Sequence, residues 1–127
     1  MIKELRDELV TFISTITGLA KCDRYNGEFE EGAEWYPSLP CAFVNFLSIK
    51  PVSYSADARI LGKNKFAVDI YVAGKYDSSE IAELITNELD EAEIEADDYF
   101  YKIKISEIAL LGFIKSVEVW KINIELI

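Results

Sequence analysis

The sequence predicts an α+β domain: a mixed, mainly antiparallel sheet of four to five strands with two main helices on one face, in the order α-β-β-β-α-β-β. Three observations lead there. Apolar residues recur at helical spacing over 2–17 and again over 78–91. Between and after those segments they alternate with polar residues, or run continuously, over lengths suited to strands. The chain has 127 residues, half of them hydrophobic and 13% aromatic, which supplies one core and is too short for two ordinary domains. Residues 1–127 are therefore read as a single domain.

In the first helix Ile2, Leu5, Leu9, Phe12, Ile13 and Ile16 form one stripe, with Lys3, Glu4, Arg6, Asp7 and Glu8 outside it. Its mixed polar face suits packing on a sheet better than lying on a membrane surface. Gly18 is placed to end it. A short strand is expected within Leu19–Tyr25, then a turn at Asn26-Gly27. Pro37 and Pro40 keep the following acidic piece out of a central strand. Cys41–Ile49 reads as a strand apolar on both faces and hence covered on both sides. Lys50–Lys65 reads as a strand edge or hairpin arm.

Phe66–Ala73 is the next strand, with Phe66, Val68, Ile70 and Val72 on one face and Ala67, Asp69 and Tyr71 on the other. Asp77 and Glu80 fit a capping box that opens a helix from about Ser78 to about Glu91. Ile81, Leu84, Ile85 and Leu89 are its expected buried stripe. Acidic residues at its end oppose the helix dipole and favour an early stop. Tyr99, Tyr101, Ile103 and Ile105 share a face of the following strand. In the last, Trp120, Ile122, Ile124 and Leu126 point inward, and the Glu118 end is expected to leave the core.

The net charge is −10, and most of the excess lies in two places. Glu28, Glu30, Glu31 and Glu34 form one cluster. Glu88, Asp90, Glu91, Glu93, Glu95, Asp97 and Asp98 form a second. Together they hold 11 of the 23 acidic residues, and neither window contains Lys or Arg. This argues against specific nucleic-acid binding, which relies on neutralising phosphates. No apolar run approaches the roughly 20 residues of a membrane span, and the charged N-terminus lacks a signal-peptide core. A soluble protein made in a cytoplasm is expected. Cys22 and Cys41 match no metal or redox spacing and are read as small, partly buried residues without a chemical role.

The chain contains no histidine. That removes Ser-His-Asp and Cys-His arrangements, and two isolated cysteines do not make a zinc site. "LGKNK" lacks the upstream glycine and the trailing Ser or Thr of a phosphate loop. Only the carboxylate clusters are left as candidates for chemistry, such as glycosidase work or a divalent ion. The segment Asp90–Asp98 lacks the glycine and spacing of a calcium loop, and charge runs are usually solvated faces. The reading is of no catalytic residue, no metal and no cofactor. Trp35 and Tyr36, beside the first cluster, are either interface anchors or fold back onto the sheet.

The helix leading to "RYNGEF", then "LPCAFVNF", then "KFAVDIYVAGKYDSSEIAELITNEL" and the closing "ALLGFIKSVEVWKINIEL" together resemble the Mu-like prophage minor tail protein family, small proteins related in fold to phage tail terminators. The resemblance spans nearly the whole chain and rests on element order, with no catalytic motif. It implies a mixed sheet flanked by helices and self-assembly into a ring of six subunits. It also implies a position at the end of the tail tube, contact with the tail tube protein and the head-tail connector, and no enzymatic activity. The expected location is the bacterial cytoplasm during assembly, then the virion tail.

Ring formation calls for heterologous contacts. Trp35, Tyr36, Tyr54, Ile60 and Leu61, apolar groups in loop-like segments, are the expected contacts with neighbouring subunits or the tube. One acidic cluster, either Glu28, Glu30, Glu31 and Glu34 or Asp90, Glu91, Glu93, Glu95, Asp97 and Asp98, is expected to line the lumen or the surface and repel passing DNA. The alternative is a small acidic adaptor acting as a monomer or dimer. A carboxylate-based enzyme ranks last.

Overall fold

The structure is a computed structural model that describes residues 2–16, 19–27, 39–51, 64–74, 78–96, 99–114 and 117–127. Two helices, α1 (Ile2–Ser14) and α2 (Ser78–Leu89), accompany six strands. These are β1 (Lys21–Arg24), β2 (Cys41–Pro51), β3 (Asn64–Gly74), β4 (Glu93–Ala96), β5 (Tyr99–Ile114) and β6 (Val117–Leu126). The sheet order is β1-β2-β3-β6-β5-β4, parallel between β1 and β2 and antiparallel elsewhere.

The α+β class holds, with six strands in place of four to five. The additional strand, β4, sits inside the second acidic cluster. Glu93 and Glu95 face solvent while Ile94 and Ala96 are buried. The alternation is that of a half-buried strand, and the charge run conceals it because glutamate is depleted in strands.

α1 ends three residues before its expected limit. Ser14 and Thr15 hydroxyls donate to the carbonyls of Thr11 and Phe12, and Thr15 and Ile16 amides bond three residues back. Such local side-chain bonds and tightened turns favour termination. Leu5, Leu9, Ile13 and Ile16 are buried as the stripe predicts, and Phe12 packs against them. α1 touches β1 and β2 at one side of the sheet and β4 at the other, while α2 lies on β3, β5 and β6.

Both helices pack on one face. There Val68, Ile70 and Val72 of β3, Ile122, Ile124 and Leu126 of β6 and Tyr101 and Ile103 of β5 meet Ile81, Ala82, Ile85 and Leu89 of α2. Leu84, expected in that stripe, is 39% exposed, and Ala82 is buried in its place. The contact stripe of α2 is rotated toward the smaller residue. The capping residue Asp77 lies outside the described residues.

The other face carries a second, smaller cluster of Cys41, Phe43, Ala73, Val117 and Val119, with Tyr25, Leu39 and Tyr71 packed on it. The Tyr25 ring meets Tyr71 at 5.0 Å and Phe43 edge-on at 6.4 Å. Here β2 is covered on both sides, as its apolar pattern predicts. The coverage stops at Val44: a bulge interrupts its pairing with β3 between Phe46 and Ser48, and Leu47 and Ile49 are exposed. The expectation that the Glu118 end leaves the core is corrected by the same cluster. Val117 and Val119 are buried there, so the strand end changes which face it fills.

Candidate interaction surface

β5 is 16 residues long, and its two edges are unequally used. Along one edge β6 pairs with it from Ile103 to Ile114. Along the other, β4 pairs only with Tyr99–Lys102, and the carbonyl and amide of Ile103 bond to Glu91 and Ala92. Among the described residues no strand pairs with 104–114 on that side. This half of β5 carries Ile108, Leu110, Leu111 and Phe113, all exposed, with Phe113 at 67%. Two bulges, at 105/107 and 110/112, bend the strand, and Gly112 takes φ +141° at the second. A long apolar edge of this kind is a template for pairing with another chain.

A second half-edge lies on the opposite side of the sheet. β1 pairs with Cys41–Val44 of β2 only, and the Tyr25 amide bonds to the Val44 carbonyl. Beyond that point no described strand pairs with the outer side of 45–51. Leu47 is 50% exposed, and a shallow depression of about 300 Å³ is lined by Phe46, Leu47, Ser48 and Ile49.

The charged surface near β4 is paired in part. Glu91 Oε2 and Lys102 Nζ are 2.6 Å apart, and Glu93 stands opposite Lys102 in register. The hydrogen bond from Lys102, and then its charge, hold the Glu91 carboxyl below the usual carboxylate range. The same bond and charge raise Lys102, with Glu93 and Asp90 adding to the effect. The second acidic cluster thus meets lysines from β5 that its own window lacks. Asp90, Glu91, Glu93 and Glu95 are all exposed.

On the face away from the helices, buried Asp69 accepts a 2.8 Å hydrogen bond from Asn123 Nδ2, its register partner across β3 and β6. This bond satisfies a carboxylate that would otherwise be costly to bury. Among the described residues no group of three or more Cys, Asp or Glu could hold a metal ion. No helix among them is long and apolar enough to cross a membrane.

Asp90, Glu91, Glu93 and Glu95 are the expected site residues that the structure places. Trp35, Tyr36, Tyr54, Ile60, Leu61, Glu28, Glu30, Glu31, Glu34, Asp97 and Asp98 lie outside the described residues. The sequence places exposed apolar groups in loops, whereas Leu47, Ile49, Ile108, Leu110, Leu111 and Phe113 are exposed on strands. A signal was present in "IALLGFI", a charge-free run too long to alternate cleanly. No protein-family model and no curated protein matches the chain.

Proposed function

We propose that this chain is a structural phage or prophage tail protein. In this reading it assembles with itself into a ring, as a tail terminator or tail-completion protein does, caps the tail tube and contributes to head-tail joining. One observation carries the self-assembly part: the half of β5 beyond β4, which no described strand pairs and which exposes Ile108, Leu110, Leu111 and Phe113. Two bulges bend this edge, yet its apolar side chains stay exposed. The tail assignment rests on the sequence resemblance, whose element order agrees with the α+β fold. Its partners are further copies of the chain, the tail tube protein and the head-tail connector. Its place is the bacterial cytoplasm during assembly, then the virion tail.

The test is the mass of the purified chain by light scattering, with negative-stain imaging, alone and with the tail tube protein. Rings of about six subunits are the expected result. A chain that stays monomeric or dimeric under both conditions is an adaptor module, and the ring reading falls.

A further inference from the structure

We propose that the half of β5 beyond β4 pairs antiparallel with the same half of β5 in a second copy of the chain. The two-fold axis lies at Ala109, with Ile108 opposite Leu110 and Ile105 opposite Phe113. The inference rests on the self-assembly part of the reading above, not on the tail assignment, and names the contact.

The backbone sets the register. Lys102 exchanges both its hydrogen bonds with Ile127 on the β6 side, and Ile103 turns its own toward Glu91 and Ala92. In an antiparallel ladder this direction alternates along each strand. From Ile127 back to Val117, the odd-numbered residues of β6 therefore bond to β5. Ile105, Ile108, Leu110 and Phe113 pair with the even-numbered ones, so they turn their amides and carbonyls outward.

The two bulges space these outward residues by three, two and three positions. That spacing reads the same in both directions, so it matches its own reversed copy about Ala109. Setting Ala109 opposite Ala109 pairs all four outward residues with outward residues of the second copy. Any shift leaves at least two of them without such a partner. Residue 104 then falls opposite 114, so the pairing stops short of 99–103, which β4, Glu91 and Ala92 already use.

The side chains agree. Ile105, Ile108, Leu110 and Phe113 stand beside Ile124, Ile122, Trp120 and Glu118 on the helix-bearing face. In the pair they form one apolar row across the axis, in which Phe113 covers Ile105 and Leu110 covers Ile108. Ala109 meets its own copy in a non-hydrogen-bonded pair, the closer cross-strand approach, which suits a small residue. At the bulges Ser106 falls opposite Gly112.

Charge favours a second copy as the occupant. Glu107 is the only charged residue in 105–113. In the pair it stands four positions from its copy, about 13 Å along the strand. That exceeds a Debye length of about 8 Å at physiological salt. Two copies of net charge −10 thus meet here with little local repulsion. The open half of β2 suits the edge less well. The Val44 carbonyl points outward to the Tyr25 amide, and alternation through the bulge makes Phe46, Ile49 and Pro51 the next outward residues. Pro51 has no amide to donate there.

The contact is isologous and closes at two copies, so a ring built from such dimers needs a second, different contact. The test is Ala109→Cys in the full chain. Oxidation is expected to join two copies, because facing Cα atoms of such a pair lie about 4.5 Å apart. Ser106→Cys, off the axis, and the wild type should not join to themselves. Leu110→Lys is expected to weaken self-association roughly tenfold, since the two-fold axis removes two apolar pairs at once. Circular dichroism checks that each variant is folded. Disulfides between chains carrying Leu110→Cys and chains carrying Ile49→Cys, in place of the Ala109→Cys dimer, would mean a head-to-tail contact with β2 and overturn the proposal. Rings that form without the Ala109→Cys disulfide would sink the two-fold contact and leave the ring reading in place. Linked dimers that never reach a ring, even with the tail tube protein, would support the contact and sink the ring reading. A wild-type chain that stays monomeric would sink both.

Discussion

Ser78 Oγ donates a 2.6 Å hydrogen bond to Glu118 Oε1, and Trp120 Nε1 donates to the same oxygen at 2.7 Å. One carboxylate thereby fastens the first residue of α2 to β6 and orients a half-buried indole. Ser78 is fully buried, so this acceptor satisfies a hydroxyl that water does not reach. The bond from Ser78, then that from Trp120, hold the Glu118 carboxyl below its ordinary value against the opposing effect of burial.

The depressed value sets a pH dependence. Stability from Glu118 is present above the carboxyl's unfolded pKa and is lost as pH falls through the lower folded value. Ser78→Ala is expected to cost about 1 kcal/mol at neutral pH, because one hydrogen bond is lost and no charge is stranded. Glu118→Gln should lower the urea midpoint at about pH 7 and approach the wild type in acid, once pH has fallen through the lowered folded value and both side chains are neutral. Urea titrations at the two pH values check this. An equal deficit at both would remove the carboxylate's ionisation from the account.

The rotated stripe of α2 separates two leucines that the sequence treats alike. Leu89, fully buried between α2 and the sheet, should cost about 2–5 kcal/mol on replacement by alanine. Leu84→Ala, on an exposed helical surface, should stay within about 1 kcal/mol of the wild type. Chemical denaturation of the two variants measures the contrast.

Cys22 should be a slow nucleophile. Burial, and then the neighbouring Asp23 carboxylate, push its thiol pKa up to about 12. Its Sγ lies 3.6 Å from the Val10 carbonyl, so the thiol donates back to α1. Cys41 is buried in the second cluster. Both thiols are expected to resist iodoacetamide in the native state near neutral pH and to react fully in denaturant, as mass spectrometry would record. Rapid labelling of native Cys22 would contradict its placement against α1.

Glu91 occupies φ 65°, in the turn that follows α2. A side chain there is strained, and glycine is not. Its ion pair with Lys102 is exposed and contributes little. Glu91→Gly is therefore expected to raise the thermal midpoint, and calorimetry decides. A fall would mean that the contact with Lys102 outweighs the backbone relief.

Periodicity located the helices and most strands because it is a local property. Leu5, Leu9 and Ile13 recur at helical spacing, and Phe66, Val68, Ile70 and Val72 alternate, whatever they pack against. β4 was concealed because two glutamates in four residues read as a charge run. Only its partner strand, Tyr99–Lys102, reveals that Ile94 and Ala96 face inward. The fate of Glu118 was likewise hidden, since its donor Ser78 lies 40 residues earlier in the chain.

The sequence by itself determined the α+β class, the faces of the central strands and an acidic surface with no histidine chemistry. The tertiary structure alone decided where pairing stops. A strand's sequence states how long it is and which residues point together, but not the length of its neighbour. β5 runs for 16 residues beside a β4 of four, and β2 for 11 beside a β1 of four. Among the described residues that mismatch leaves Ile108, Leu110 and Phe113 at one open edge and Leu47 and Ile49 at another, because a ladder extends only where two strands overlap.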